Sequence, residues 1–296
     1  SGWGMYRLAG KNSIAAGIFA GTLFAVNPFV YERVLIGHWG LLLGYSLLPF
    51  IVDAALAKKG ILAAILMTFV ISVDVHFVLI FAPVLFLFFL VGKNIKQAAV
   101  FVGLLLLLNL NWLIPVFFGK SDLVAMVSSF NVNDLIAFRS FPDPNYGLVF
   151  NLLSGYGFWA EPNHFFLLPK NILAVWPLLS LAILGVVFAG IFKIVKNGET
   201  KDKILVIGLI AIIILSLDFA GGVALPASRD MFISLYDKFP ILRGLREPQK
   251  LIGLVMFCFA FFGAYGIEFL TKKKKIFLIL LILPFVYTLT VFGSFW

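Results

Sequence analysis

Apolar residues in this chain fall in long unbroken runs. They show neither the i, i+3, i+4 stripe of a half-buried helix nor the alternation of a half-buried strand. The runs are Ser13–Val26, Leu41–Ala57, Gly60–Val73, Phe77–Gly92, Gln97–Phe118, Ile172–Phe192, Ile204–Gly221, Leu251–Leu270 and Ile276–Trp296. A bilayer core about 30 Å thick takes about 20 apolar residues per helix, and backbone polar groups in lipid must be satisfied within the segment. The pattern therefore predicts an all-α fold: a polytopic transmembrane helix bundle of about nine membrane segments. It forms a single domain over 1–296, with interfacial helices in its outer loops.

Two of the nine runs are short. Gly60–Val73 and Phe77–Gly92 are separated only by Asp74-Val75-His76, which reads either as a tight hairpin or as one kinked helix. Charge favours the hairpin. If Arg7 and Lys11 are cytoplasmic and each run crosses once, the inner connections hold Lys58/Lys59, Lys93/Lys96, Lys193/Lys196/Lys201/Lys203 and Lys272–Lys275. Fourteen of the 23 basic residues then lie inside, with Asp53, Glu199, Asp202 and Glu268, for a net +10 inside and −1 outside. Every inner connection is basic, as the positive-inside rule requires. A single kinked crossing would put Lys58/Lys59 and Lys93/Lys96 on opposite sides. The expected location is the plasma membrane, multi-pass, with the longer connections Asn27–Gly40, Gly119–Asn171 and Gly222–Lys250 extracytoplasmic.

Composition closes off other classes. Of 296 residues 62% are hydrophobic, 16% aromatic and 12% charged, with a mean hydropathy of +1.06, whereas soluble domains carry roughly 25% charged residues. A soluble enzyme, a disordered chain and a secreted disulfide scaffold are excluded. Cys258 is the only cysteine, so it forms no internal disulfide. The net charge of +9 could suggest nucleic acid, but its sorting by side records membrane insertion, and no nucleic-acid partner is expected.

Candidate chemistry gathers in the outer connections. In Asn27–Gly40, Asn27-Pro28 ends a helix, and Glu32 and Arg33 follow beside His38 and Trp39. They read either as an interfacial turn with a local ion pair, or as groups lining an outward cavity. Asp74 and His76 are flanked by apolar residues, and ionisable groups at membrane depth usually face a cavity or a partner; at a wet hairpin tip they would simply be solvated. In Gly119–Asn171, short interfacial helices are expected over Asp134–Arg139 and Val149–Leu153, with a turn at Pro142–Gly147. There Trp159, Glu161 and His164 suit a sugar face or the headgroup belt. The third connection ends in Arg243, Arg246, Glu247, Pro248 and Lys250 before an apolar run. Pro248 suits a first helical turn, whose amide ends favour an anion. The three cations run against the positive-inside trend and suit a lipid phosphate, unless they pair with Asp237 and Glu247. The three histidines have no zinc spacing, and an oxygen-ligand site for Mg²⁺ or Mn²⁺ would leave no readable motif.

Four stretches together resemble the GT-C superfamily of polytopic membrane glycosyltransferases, in its bacterial and archaeal membrane-protein branch. They are the basic turn and small-residue helix running into Asn27-Pro28, the segment Glu32-Arg33 through Leu48-Pro49, Gly155-Tyr156-Gly157-Phe158-Trp159, and Arg243 to Lys250 with its following helix. The resemblance implies transfer of a sugar from a polyprenyl-phosphate donor to an acceptor on the outer face. It implies Arg243, Arg246 and Lys250 at the donor phosphate, and His38, Trp39, His76, Trp159, Glu161 and His164 around the substrate. In that superfamily the catalytic carboxylate usually lies in the first outer loop, which has no counterpart here. Either the chain is an N-terminally truncated piece, the favoured expectation, or Glu32 or Asp74 serves as base. A lipid or solute transporter or flippase also needs an amphipathic cavity, but would show inverted repeats and paired broken helices. A non-catalytic membrane subunit would not gather Glu32, Asp74, Glu161 and Arg246 at one place.

Overall fold

The computed structural model describes residues 1–10, 13–118, 125, 129–165, 167–270 and 274–288. Among these there are helices and turns but no strand. The helices, in chain order, are α1 (Gly2–Ala9), α2 (Ile14–Ala25), α3 (Pro28–Leu35), α4 (Trp39–Leu56), α5 (Gly60–Val73), α6 (Phe77–Val91), α7 (Ile95–Leu108) and α8 (Leu110–Phe118). There follow α9 (Val132–Ala137), α10 (Gly147–Leu153), α11 (Pro169–Ile172), α12 (Trp176–Asn197), α13 (Thr200–Gly221), α14 (Arg229–Lys238), α15 (Ile252–Leu270) and α16 (Lys274–Thr288).

Five helical stretches are long and apolar enough to cross a membrane: Ile14–Leu35, Trp39–Leu56, Trp176–Asn197, Thr200–Ala224 and Pro248–Leu270. The pair α7–α8 meets the same test only when its two parts are joined, as a broken span or a re-entrant loop bent by 70° at Asn109, whose side chain bonds Thr68 Oγ1, the Leu105 carbonyl and Trp112 Nε1. The helices α5 and α6 are apolar but shorter. They form the hairpin and not one kinked helix. The chain returns to the end it left, where Gly60 N–H donates to Gln97 Oε1 at 3.1 Å and Asn94 Nδ2 donates to the Ala55 carbonyl at 3.3 Å. Of the ninth expected run, Ile276–Trp296, residues 289–296 lie outside the described residues.

Hydropathy alone does not rank these helices by depth, but burial does. Fifteen of the 19 residues of α15 are buried, so it is the bundle axis. By contrast α7 fully buries only Phe101, with Ala98, Leu104 and Leu105 half-buried against the core, and leaves Ile95, Val100, Val102 and Leu106–Leu108 exposed. Helices α12 and α15 press together at two glycines: a Cβ on Gly190 would lie 1.9 Å from the Phe262 carbonyl oxygen, and one on Gly266 2.0 Å from that of Val186. Helix α1 packs on α2 through Gly2 against Gly21. The run pattern does not anticipate α1, because its eight residues are too few and include Arg7.

The described ion pairs fall at the two ends of the bundle. At the lysine-rich end Arg7 pairs with Asp53 at 3.5 Å, and Lys193 with Glu268. At the opposite end Lys250 pairs with Asp74, and Lys170 with Glu161. No described pair joins the two ends.

Candidate functional site

The polar residues at the end opposite the lysines are positioned by three local devices. The first is Asn27. Its Oδ1 caps α3 by accepting from Val30 N–H at 3.0 Å, while Nδ2 donates to the Leu23 and Phe24 carbonyls that end α2. One side chain thus satisfies both helix ends, and the α2–α3 stretch stays nearly continuous. As a consequence Glu32 and Arg33 do not sit in a surface turn: they are 2% and 1% exposed.

The second device is the loop after α10. Gly155 and Gly157 have φ of +82° and +99°, a region open to glycine at little cost, and turn the chain back on itself. The Glu161 carboxylate holds that turn. It accepts from the backbone N–H of Gly157 and of Phe158 (3.0 Å), from Asn151 Nδ2 (3.3 Å) and from Lys170 Nζ (2.6 Å). Lys170 Nζ also donates to Asn151 Oδ1 at 2.8 Å and stands 3.7 Å from Asp143. This fixes the Phe158 ring, over which the Arg33 guanidinium lies at 3.7 Å. Burial pushes the Tyr156 hydroxyl well above its ordinary value, and nearby Tyr287 and the carboxylates push the same way.

The third device is the start of α15. A 3₁₀ turn at Pro248–Leu251 opens the helix, as Pro248 predicts. Gln249 is 1% exposed, and its Nε2 donates to the Phe138 carbonyl at 2.6 Å. Lys250 Nζ lies 3.2 Å from Asp74 Oδ2, whose other oxygen is 2.6 Å from His76 Nδ1. The hairpin tip is therefore drawn in and paired rather than solvated. Burial works to raise the Asp74 carboxyl, but the His76 hydrogen bond and Lys250 outweigh it and hold the group below the usual carboxylate range. Burial, and next the Arg33 charge, lower the His38 imidazole, whose ring packs edge-on to Phe158 at 5.8 Å.

These devices meet. The Arg33 guanidinium lies on the Phe158 ring, and His38 packs on the same ring, with its imidazole under the charges of Arg33, Glu247, Lys250 and Asp74. Phe158 touches Trp159, Trp159 touches Phe138, and the Arg246 guanidinium lies 4.7 Å over Phe138 and 4.6 Å over Phe130. Among the described residues Glu32 Oε1, Arg33 Nε and Nη1, His38 Nδ1, Trp159 Nε1, Glu247 Oε2 and Gln249 Oε1 are buried without a hydrogen-bond partner. Buried polar atoms of this kind are rare in folded proteins and costly.

Of the residues singled out from sequence, Glu32, His38, Asp74, His76, Trp159, Glu161, Arg246 and Lys250 belong to this assembly. Three do not. Trp39 is 63% exposed at the start of α4; His164 is exposed, with φ of 51°; and Arg243 turns to the α14 end, where Nε donates to the Tyr236 carbonyl at 3.3 Å. The cations do not pair as the acids around them suggest: Lys250 takes Asp74, and Arg246 takes two aromatic rings. Sequence reasoning did not single out Arg33, Glu247, Gln249, Asn151 and Lys170 as site residues. Arg33 carried a signal, since a charge at the mouth of an apolar helix calls for a partner, but Glu32 beside it supplied a ready local explanation. Among the described residues no three of His, Cys, Asp and Glu stand close enough to hold a metal.

The cluster can neutralise an anion at Arg246 and Lys250, and can offer carboxylates and hydrogen-bond donors within a few side chains of it. Comparison with protein-family models, with curated proteins and with solved structures finds no match to this chain.

Proposed function

We propose that the protein is a membrane glycosyltransferase of GT-C type, which takes a sugar from a polyprenyl-phosphate donor at the extracytoplasmic face of the plasma membrane. The observation that carries this reading is the placement of Arg246 just before, and of Lys250 within, the turn that opens α15, at the same end of the bundle as buried Glu32 and Arg33 and half-buried Glu247. In this reading the two cations and the amide ends of the turn hold the donor phosphate. A carboxylate takes the proton of the acceptor hydroxyl, and within this chain that group is Glu32. Asp74 is already committed to Lys250 and His76, which makes it a positioning group in the resting state rather than the base.

The test is donor binding and transfer. Membranes carrying the protein are given a radiolabelled polyprenyl-phosphate hexose, and Arg246→Ala and Lys250→Ala are compared with the parent. Each loss is expected to weaken donor binding about tenfold, the scale of one charge-assisted phosphate contact at about 1.4 kcal/mol or more. Donor binding unaltered in both variants would remove the phosphate role, and absence of any binding by the parent would remove the reading itself.

A further inference from the structure

Lys250 already holds an anion in the resting structure, and that anion belongs to the protein. Its Nζ lies 3.2 Å from Asp74 Oδ2, in the place a phosphate oxygen would take. We infer that Asp74 is an internal competitor for the phosphate: donor binding displaces it from Lys250 and frees the α5–α6 hairpin tip from α15. This rests on the proposed phosphate role of Lys250 and goes further, because it makes the resting contact autoinhibitory and the hairpin tip a moving part.

Charge makes the two anions exclusive. Burial works against the Asp74 charge, but His76 and Lys250 outweigh it and keep the carboxylate ionised. Asp74 and Lys250 together are then neutral, and an approaching phosphate meets little net attraction. The two side chains are only 14% and 15% exposed, so water screens poorly the repulsion between two anions that share one ammonium.

The turn is built to let the carboxylate go. His76 Nδ1 stands 2.6 Å from Asp74 Oδ1, and the His76 backbone N–H donates to the same oxygen at 3.0 Å. An Asp74 that leaves Lys250 therefore keeps both partners within its own turn and is not left bare. Among the described residues, Lys250 alone joins 74–76 to another element by hydrogen bonds. The other polar ties of the hairpin, Thr68 to Asn109, Gly60 to Gln97 and Asn94 to the Ala55 carbonyl, lie along its arms and at its far end. Val75 at the apex is 42% exposed, so little packing opposes release. Phe77, packed against Gly44 of α4, anchors the arm behind it and confines the motion to the turn.

The experiment binds decaprenyl phosphate, or decaprenol as the tail without the phosphate, to the protein in nanodiscs. Its two readouts are Kd and hydrogen exchange at Val75–Ile80. Apparent affinity falls with the fraction of molecules in which Lys250 is free, so a contact closed in roughly nine of ten lowers it about tenfold. Asp74→Asn, which keeps the shape and removes the charge, is therefore expected to bind decaprenyl phosphate about tenfold tighter than the parent. Adding Lys250→Ala should abolish the gain. In the parent, decaprenyl phosphate should raise exchange at Val75–Ile80 several-fold, and decaprenol should leave it unchanged. Equal or weaker binding by folded Asp74→Asn, or unchanged exchange in the parent saturated with decaprenyl phosphate, overturns the competition and leaves the phosphate reading intact. If thermal unfolding shows that Asp74→Asn does not fold, exchange in the parent decides alone. Failure of both parent and variant to bind decaprenyl phosphate overturns the donor class and the inference with it.

Discussion

Replacing Glu161 by Gln removes one charge and changes almost no volume, so it isolates what the carboxylate does. The amide keeps one oxygen for the Gly157 and Phe158 N–H groups. It turns an NH₂ donor toward Lys170 Nζ and Asn151 Nδ2, which now bond the second oxygen at 2.6 and 3.3 Å. Removing one partner of a buried pair costs about 3–5 kcal/mol, and a hydrogen bond to a charge is worth about 1.5–3. Lys170 keeps Asn151 Oδ1 at 2.8 Å and Asp143 at 3.7 Å, so the lower end applies, about 3 kcal/mol. That is roughly a hundredfold in the unfolding equilibrium. The assay is equilibrium unfolding in bicelles by steric trapping, run as a cycle with Lys170→Met. The double variant should lose markedly less than the summed single losses, with a coupling of about 2 kcal/mol. A Glu161→Gln loss below about 0.5 kcal/mol, or additive losses in the cycle, would refute the claim that this carboxylate holds the loop.

Three further outcomes are expected. Gly190→Ala forces α12 and α15 apart, because its Cβ would stand 1.9 Å from the Phe262 oxygen; Gly185→Ala on the same helix meets nothing within 4 Å. The first should destabilise by about 1–3 kcal/mol and the second be neutral or slightly stabilising, read by thermal unfolding; equal effects would contradict the close approach. Asp74 has a folded-state pKa below its unfolded value of about 3.9, so its contribution is present above that pH and is lost as pH falls further. Hydrogen exchange at Val75–Ile80 should rise below about pH 4 in the parent, and should already be high and less pH-dependent in Asp74→Asn. Cysteines placed at Asn145 and Lys201, in a Cys258→Ala background, should react with a membrane-impermeant maleimide from opposite sides; reaction of both from one side would reverse the assignment of the long connections.

What the sequence disclosed, and what it withheld, divides along a physical line. Whether a run is apolar and which flank is basic are local properties, and so the all-helical bundle, the hairpin and the turn at Pro248 were legible. The two short helices at Val132–Ala137 and Gly147–Leu153 begin two residues before the stretches the pattern marked, because capping and turn residues are also local. Depth is not local. Glu32 and Arg33 read equally well as a wet ion pair until Phe158 and Glu161, more than a hundred residues later, are brought against them. The same holds for Arg243 and Arg246, three residues apart, one of which joins the cluster while the other turns away on backbone carbonyls. Trp39 and Trp159 are both aromatic anchors by composition. Only the packing of Phe138 and Phe158 separates the one that faces outward from the one that is walled in.

The Lys250–Asp74 pair also sets an order of events in the making of the protein. Its two members are 176 residues apart, so at about 5–20 residues per second of synthesis the hairpin tip waits roughly 10–35 s for its partner. During that interval Asp74 cannot be neutralised by the residue that later holds it, and the apolar arms α5 and α6 must carry an unmatched carboxylate at their turn. The tip is therefore best kept in water or against the insertion machinery until α15 arrives. Closure of the ion pair is then a late step that couples the first half of the chain to the last, and slowing translation between Gly92 and Leu251 should lengthen the life of the unlatched hairpin in direct proportion.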